Sequence, residues 1–172
     1  LLPLGRKAAP NAMLIGLRGR SVDEGYPRFF RRLSQTTFDQ KEIASEVKAF
    51  VGFIEDIGPA YGANPARTAF LGYSNGGNMI GATMQLYPEV IRRAVLLRSM
   101  NVLEDRPVVD LSGAEVLSLS ATNDFYGPLA GEIEDRLRTA GADVTARVLD
   151  ANHGLDAEDE VIVHEWLKER IG

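Results

Sequence analysis

The stretch "FLGYSNGGNM", residues 70–79, ends an apolar run with small residues on both sides of Ser74. It contains the pattern GxSxG at residues 72–76, between a strand-like run and a helix-like run. Two interpretations compete. A glycine-rich turn lets a backbone approach a phosphate, whereas a sharp strand-to-helix turn presents the serine as a nucleophile. The second uses glycine at both ends of the pattern, because side chains there would collide with the neighbouring strand and helix.

The helix-like run after the serine adds a further expectation. If a helix starts at Ser74, the backbone amide of Asn75 points toward the place where the oxyanion of a tetrahedral intermediate forms. We therefore expect the Asn75 amide to be an oxyanion donor. Farther along the same helix, Met79 and Met84 are expected to face the core.

Around this turn, short apolar runs alternate with longer helical patterns along the whole chain. This alternation is typical of βαβ units, so the predicted fold class is α/β with a mostly parallel sheet flanked by helices. The predicted strands cover residues 12–17, 68–73, 92–97, 115–121 and 143–149.

Two helices are predicted most clearly. The first begins at Asp39, which caps it while Glu42 reaches back to the cap. The second runs from Asp156 to Ile171, with acids in its first turn and bases in its last, as the helix dipole favours. Trp166 is expected to anchor this last helix to the sheet. The predicted apolar face of the first helix consists of Ile43, Val47, Val51, Ile54 and Ile57.

The composition excludes several classes of protein. A chain of 172 residues, 45% of them hydrophobic, suffices for one domain, which we expect over residues 1–172. The net charge of -5 comes from mixed acids and bases, so no nucleic-acid partner is expected. Without cysteine there is no disulfide, thiolate nucleophile or cysteine-rich zinc site. No apolar run suffices for a membrane span and no secretory signal is visible, so a cytoplasmic enzyme is expected.

A nucleophilic serine needs a base, and the chain has two histidines. His164 lies within the last predicted helix, where an ordinary packing or surface role is favoured. His153 lies between the final strand and that helix, at the carboxyl edge of the sheet, where open α/β sheets bind ligands. His153 is therefore the predicted base, against the alternative of a histidine that only hydrogen-bonds its own turn.

The base needs a carboxylate that holds the imidazole tautomer. Asp124 follows the predicted strand 115–121 and is the favoured candidate. Asp110 precedes that strand, at the wrong end of the sheet, while Asp150 and Asp156 are close enough to His153 for capping or turn roles. The resulting chain order of serine, aspartate and histidine is the order that α/β hydrolases use.

These motifs together resemble the phospholipase/carboxylesterase family of α/β hydrolases, in particular its small bacterial esterases. The resemblance is carried by "LLPLG" (1–5), "GLRGR" (16–20), "ARTAFLGYSNGGNM" (66–79), "SATNDFYGP" (120–128) and "NHGL" (152–155). It implies hydrolysis of carboxylic esters, or of thioesters or lysophospholipids, without a metal or a cofactor. The implied partner is a small-molecule ester, and a homodimer stays open.

The front of the chain departs from the family's pattern. The HGxGG-like loop that gives the second oxyanion amide does not precede Leu1. By resemblance, the strand before that loop separates the strand at 12–17 from the one ending at Tyr73. We therefore expect that these two do not pair directly, that the natural protein has further N-terminal residues, and that a chain beginning at Leu1 is unstable and nearly inactive.

The long irregular segment at 18–37 is expected to border the site, since loops of this length in compact domains are often functional. In the family, the segment after this strand borders the mouth of the site, so Tyr26, Phe29 and Phe30 are predicted to form an apolar wall for the substrate. Core packing of the three aromatic residues is the equal alternative. The arginines of the segment are expected to form a solvated face rather than a phosphate clamp; they are Arg28, Arg31 and Arg32.

The favoured function is an esterase that works through Ser74, His153 and Asp124, with short or medium acyl esters as substrates. Two alternatives from other classes stay open. One is a non-catalytic ligand-binding protein on the same scaffold. The other is a flavodoxin-like or nucleotide-binding domain that uses "GYSNGGN" (72–78) for phosphate.

Overall fold

Four parallel strands form the sheet of the computed structural model, which describes residues 1–22 and 24–171. The strands lie in chain order: β1 (Phe70–Tyr73), β2 (Arg93–Leu97), β3 (Glu115–Ala121) and β4 (Asp143–Leu149). The bounds predicted for β3 and β4 are confirmed, while β1 and β2 begin two residues and one residue later than predicted. The α/β class with a parallel sheet is therefore confirmed.

The predicted strand at 12–17 is wrong. The backbone of residues 13–20 makes no backbone hydrogen bond with any described residue, and a strand exists only through such pairing. β1 pairs with β2 alone among the described residues. The expectation that the segments at 12–17 and 68–73 do not pair directly is confirmed.

The described residues form five α-helices: α1 (Leu2–Ala8), α2 (Gln40–Tyr61), α3 (Asn75–Leu86), α4 (Ala130–Thr139) and α5 (Ala157–Ile171). The predicted cap of α2 is confirmed, since the Asp39 carboxylate accepts from the amides of Lys41 and Glu42 at 3.0 and 3.1 Å. Glu42 does not reach back to the cap as predicted. Its carboxylate instead accepts from the amide of Arg31 at 2.8 Å, which ties the preceding loop to the helix.

The helices form layers on both faces of the sheet, because successive strand side chains point in opposite directions. On β2, Val95 and Leu97 face α1 and α5, whereas Ala94 and Leu96 face α3 and α4. α2 packs outside α3 in a third cluster that includes Met79 and residues of the 18–37 loop. The predicted core positions of Met79, Met84 and Trp166 are confirmed.

The order of elements determines where the candidate site lies. β1, β3 and β4 run parallel, so the turns that follow them emerge at one edge of the sheet. These turns carry Ser74, Asp124 and His153, respectively. Residues separated by up to 79 positions thereby meet at the carboxyl ends of the strands.

Candidate active site

Ser74 occupies a sharp turn between β1 and α3. Its backbone has φ 51° and ψ −117°, and a positive φ of this kind is rare for a residue with a side chain. A Cβ at Gly72 would lie 2.5 Å from the amide nitrogen of Gly77, so the predicted need for glycine at position 72 is confirmed. The prediction for Gly76 is wrong, because a Cβ there would make only an ordinary 3.7 Å contact with the Phe29 ring. Gly77 is the constrained position instead, since its Cβ would meet the Ser99 hydroxyl at 1.9 Å.

Two hydrogen bonds connect Ser74, His153 and Asp124. The Nε2 atom of His153 lies 3.1 Å from Ser74 Oγ, and its Nδ1 atom lies 2.9 Å from Asp124 Oδ2. An ionised carboxylate only accepts hydrogen bonds. Nδ1 therefore carries the proton and is the donor of the hydrogen bond to Asp124. Nε2 of the neutral ring is then the acceptor that faces the serine hydroxyl. The arrangement can move a proton from Ser74 to the ring.

Asp124 is held in a dry, fixed position. Its side chain is 2% exposed, and its other oxygen, Oδ1, accepts from the amide of Tyr126 at 3.1 Å. The competing carboxylates lie elsewhere: Asp110 accepts from the amide of Ser112, and Asp150 contacts the side chains after β3 rather than His153.

The other histidine has a packing role. His164 lies in α5, and its Nδ1 hydrogen-bonds the carbonyl of Ala8 at 2.8 Å. This contact joins α5 to the end of α1, two helices that are far apart in the sequence. The interpretation of His164 as a packing residue is confirmed.

Tyr73 and Tyr126 enclose the His153 ring, with ring centroids at 5.3 and 5.4 Å. The Tyr73 hydroxyl donates to the backbone carbonyl of His153 at 3.0 Å. Burial, together with the nearby Asp124 carboxylate, raises the pKa of the Tyr73 hydroxyl, which therefore stays a protonated donor. The last residue of β1 and a residue of the turn after β3 thus fix both the ring and the backbone of the histidine.

The buried side chain of Arg98 contacts the backbone of the turn that carries His153. It pairs with Asp159 in α5 at 2.8 Å, and both side chains are fully buried. Its guanidinium also donates to the carbonyls on either side of His153, at 3.0 Å to Asn152 and 3.4 Å to Gly154. Arg98 itself has φ 51°, a strained conformation at the end of β2. One buried cation therefore connects the end of β2 with the turn that carries His153.

Asn75, the predicted oxyanion donor, is the first residue of α3. First-turn amides have no acceptor within their own helix, so this amide is free of helical hydrogen bonding. The Asn75 side chain has a different role, because its Oδ1 accepts from the amide of Phe29 at 2.7 Å. That bond attaches the 18–37 loop to the turn at Ser74.

A cavity of about 260 Å³ opens over Ser74 and His153. Of the three predicted wall aromatics, Tyr26 lines this cavity and is about half exposed. Phe29 is half-buried and packs with the cluster around α2. The prediction for Phe30 is wrong, because its side chain is completely buried, edge-on against Phe38 with centroids 5.5 Å apart. The larger gain in apolar burial keeps Phe30 in the core.

The arginines of the loop also differ from the prediction. Arg28 and Arg32 line the cavity, with side chains only 14% and 29% exposed, and both pair with Glu24. Arg31 points away from the cavity and pairs with Asp39. The expectation of a solvated face is therefore wrong for Arg28 and Arg32. Their partner, Glu24, lies four residues from Arg28 in an irregular loop, where no periodicity signals the pairing.

Three further residues of the site have no motif in the sequence: Tyr73, Arg98 and Tyr126. The sequence indicates only the location of two of them. Tyr73 occupies the first x of the GxSxG pattern, and Arg98 directly follows the predicted strand 92–97. Tyr126 lies two residues after Asp124, within the same turn.

The chain is similar to known hydrolases along almost its whole length. MhqD of Bacillus subtilis (strain 168), a protein named as a hydrolase, is 32% identical over 176 residues, which cover 99% of this chain and 86% of MhqD. The chain belongs to the phospholipase/carboxylesterase family of α/β hydrolases. A carboxylesterase from Mesorhizobium loti is 39% identical with a TM-score of 0.95, covering 98% of this chain and 81% of that one. The Bacillus cereus carboxylesterase is 27% identical with a TM-score of 0.93, covering 99% and 81%. No family model matches the chain.

Membership of this family makes the protein a hydrolase with the α/β-hydrolase fold. No helix within residues 1–22 and 24–171 has the length and apolar character that crossing a membrane requires. In the same residues, no cluster of His, Asp and Glu has a geometry that could hold a metal ion.

Proposed function

We propose that this family member hydrolyses carboxylic esters through an acyl-enzyme, with Ser74 as nucleophile, His153 as base and Asp124 as the orienting acid. The observation that carries the proposal is the pair of hydrogen bonds at His153, 3.1 Å to Ser74 Oγ and 2.9 Å to Asp124 Oδ2. The first lies within the distance that proton transfer from nucleophile to base needs, and the second holds the ring in the tautomer that can accept that proton.

The first half of the reaction forms the acyl-enzyme. Ser74 Oγ attacks the ester carbonyl carbon while its proton passes to His153 Nε2, and the carbonyl oxygen becomes an oxyanion near the Asn75 amide. The carbon–oxygen bond to the alcohol then breaks, and the alcohol leaves with the proton from Nε2. In the second half, water loses a proton to Nε2 and attacks the acyl group. The bond between the acyl carbon and Ser74 Oγ then breaks, the carboxylic acid is released, and Ser74 takes its proton back from Nε2.

The size of the cavity supports short or medium acyl groups. A volume of about 260 Å³ is at or below the lower end of the range for ligand pockets, so a long chain would extend into solvent. p-Nitrophenyl acetate and butyrate are expected to be turned over faster than the palmitate ester. A rate that rises steadily with acyl length would contradict this substrate range.

The nucleophile is tested directly with a fluorophosphonate probe. Folded protein is exposed to the probe, and mass spectrometry locates the modified residue. We expect modification at Ser74 and none in Ser74→Ala. Ser99→Ala, which removes another hydroxyl close to the turn at Ser74, should be labelled like the unmodified protein. Folded protein that is not labelled would instead support a ligand-binding protein on the same scaffold.

A further inference from the structure

The cavity over Ser74 is lined by charged side chains of one sign. Arg28, Arg32 and Arg98 line it, and no Asp or Glu of the described residues does so. A neutral ester has no net charge for these cations to attract, whereas a carboxylate does. The charges of these three arginines therefore need separate explanations.

Arg98 is already neutralised. Its partner Asp159 is fully buried with it, and the pair is joined by two hydrogen bonds of 2.9 and 2.8 Å. A buried guanidinium that forms a bidentate ion pair with a carboxylate has its charge balanced by that partner. Arg98 thus holds the turn that carries His153, and its charge is already balanced by Asp159.

Arg28 and Arg32 share a single carboxylate. Arg28 Nε lies 3.3 Å from Glu24 Oε1, and Arg32 Nη2 lies 2.6 Å from Glu24 Oε2. Glu24 also accepts from the Tyr26 hydroxyl at 2.7 Å and does not line the cavity. Within the described part of the chain, Arg28 and Arg32 line the cavity, and the one carboxylate that pairs with both of them lies outside its lining. Among these described residues, the two arginines carry one positive charge more than their shared carboxylate balances.

The two guanidiniums are also held in place. The Arg28 guanidinium lies 5.9 Å from the centre of the Tyr26 ring, and Arg32 Nη1 lies 3.4 Å from the Tyr126 hydroxyl. Hydrogen bonding from Tyr26 and Arg32 lowers the pKa of Glu24 despite its partial burial, so Glu24 stays ionised and fixes both arginines. Pre-positioned guanidiniums that are largely removed from water bind carboxylates better than mobile surface charges do.

We infer that the protein prefers short esters that carry a second, ionised carboxyl group, and that Arg28 and Arg32 bind that carboxylate in the cavity that contains Ser74. The inference rests on the proposed ester hydrolysis and names its substrate class. The cavity volume of about 260 Å³ limits the substrate to half-esters of short dicarboxylic acids. Attack on the ester carbonyl is unchanged, and the second carboxylate takes no part in bond making or breaking.

The test compares monoethyl succinate with diethyl succinate. The ratio of their kcat/KM values is measured for the parent, for Arg28→Gln and for Arg32→Gln, so that the intrinsic reactivity of each ester cancels between proteins. Loss of one charged hydrogen-bonding partner is expected to lower the half-ester to diester ratio about tenfold or more. Arg20→Gln is the matched control, because Arg20 belongs to the same loop but pairs with Glu46 and does not line the cavity. It should leave the ratio unchanged.

An unchanged ratio in both cavity variants would overturn the inference. Hydrolysis of diethyl succinate by the parent tests the proposed function separately, since that ester has no free carboxylate. A second measurement uses only the parent protein: succinate and the neutral succinamide compete with diethyl succinate. Succinate is expected to inhibit at least about tenfold more strongly. Equal inhibition by the two compounds would also overturn the inference, even if the arginine variants failed to fold.

Discussion

The carboxyl edge of the sheet and the 18–37 loop both line the cavity over Ser74, but different kinds of contact hold them in place. At the edge, parallel strands bring three turns together, and the polar contacts there are buried: Asp124 is 2% exposed and the Arg98–Asp159 pair is fully buried. The loop has no repeating backbone pattern. It is held by two isolated antiparallel bridges, Ser21 with Arg28 and Arg32 with Phe38, and on its outer side by ion pairs of exposed arginines, Arg20 with Glu46 and Arg31 with Asp39.

This difference has energetic consequences. Buried charged pairs at the edge are costly to break, because a lone partner would remain buried without compensation. Partly exposed ion pairs in the loop contribute little each, because water and salt screen them. We therefore expect changes at the edge to abolish turnover or folding, and polar changes in the loop to adjust specificity and stability by smaller amounts.

The largest effect is expected at the acid. Asp124→Asn keeps the shape of the turn but stabilises the wrong histidine tautomer, which should lower kcat by roughly ten-thousandfold by analogy with the serine protease triad. Steady-state kinetics on p-nitrophenyl acetate, with circular dichroism as a check of folding, measures this loss. Asp150→Asn and Asp110→Asn serve as controls, since neither carboxylate contacts His153. The assignment of the acid fails if Asp150→Asn is the crippling change.

The next effect concerns the buried pair under the histidine turn. Arg98→Met leaves Asp159 charged and unpaired, so the free energy of unfolding should fall by about 3–5 kcal/mol. The double variant Arg98→Met/Asp159→Leu removes both charges and should recover much of that loss in urea denaturation.

A second readout separates positioning from mere stability. In the double variant the carbonyls of Asn152 and Gly154 no longer receive the guanidinium, so kcat should stay low while KM changes little. Arg98 would be a purely structural residue if the double variant regained both parental stability and parental kcat.

The sequence predicts the carboxyl edge of the sheet better than it predicts the 18–37 loop. The turn at Ser74, the acid turn and the histidine turn were predicted because each depends on a few neighbouring residues that follow a regular strand. Phe30 and the Arg28–Glu24–Arg32 group were misjudged because their positions depend on contacts that no local pattern records. The strand expected at 12–17 shows the same limit, since a strand needs a paired neighbour as well as an apolar run.

Two aromatic residues of the loop are expected to differ in their contribution to the free energy of unfolding. Phe30→Ala removes a completely buried ring and should lower the free energy of unfolding by roughly 3–5 kcal/mol. Tyr26→Ala removes a ring that is 48% exposed and should cost far less stability, while altering KM because the ring lines the cavity. Urea denaturation and ester kinetics on both variants check the contrast. Equal destabilisation by the two changes would place Tyr26 in the core as well.

The smallest effect is expected where the loop joins α2. Asp39 caps the helix and pairs with Arg31, and the hydrogen bond from Arg31, followed by that from the Glu42 amide, lowers the pKa of Asp39. Because the folded-state pKa lies below the unfolded value, the stabilisation is complete above about pH 4 and is lost as the pH falls through the lowered folded-state pKa. Asp39→Ala, which removes cap and charge, should lower Tm by a few degrees at pH 7. Asp39→Asn keeps a capping oxygen, so its loss should be smaller and should vanish in acid. Equal losses for the two variants at neutral pH would mean that the ion pair, rather than the cap, stabilises this junction.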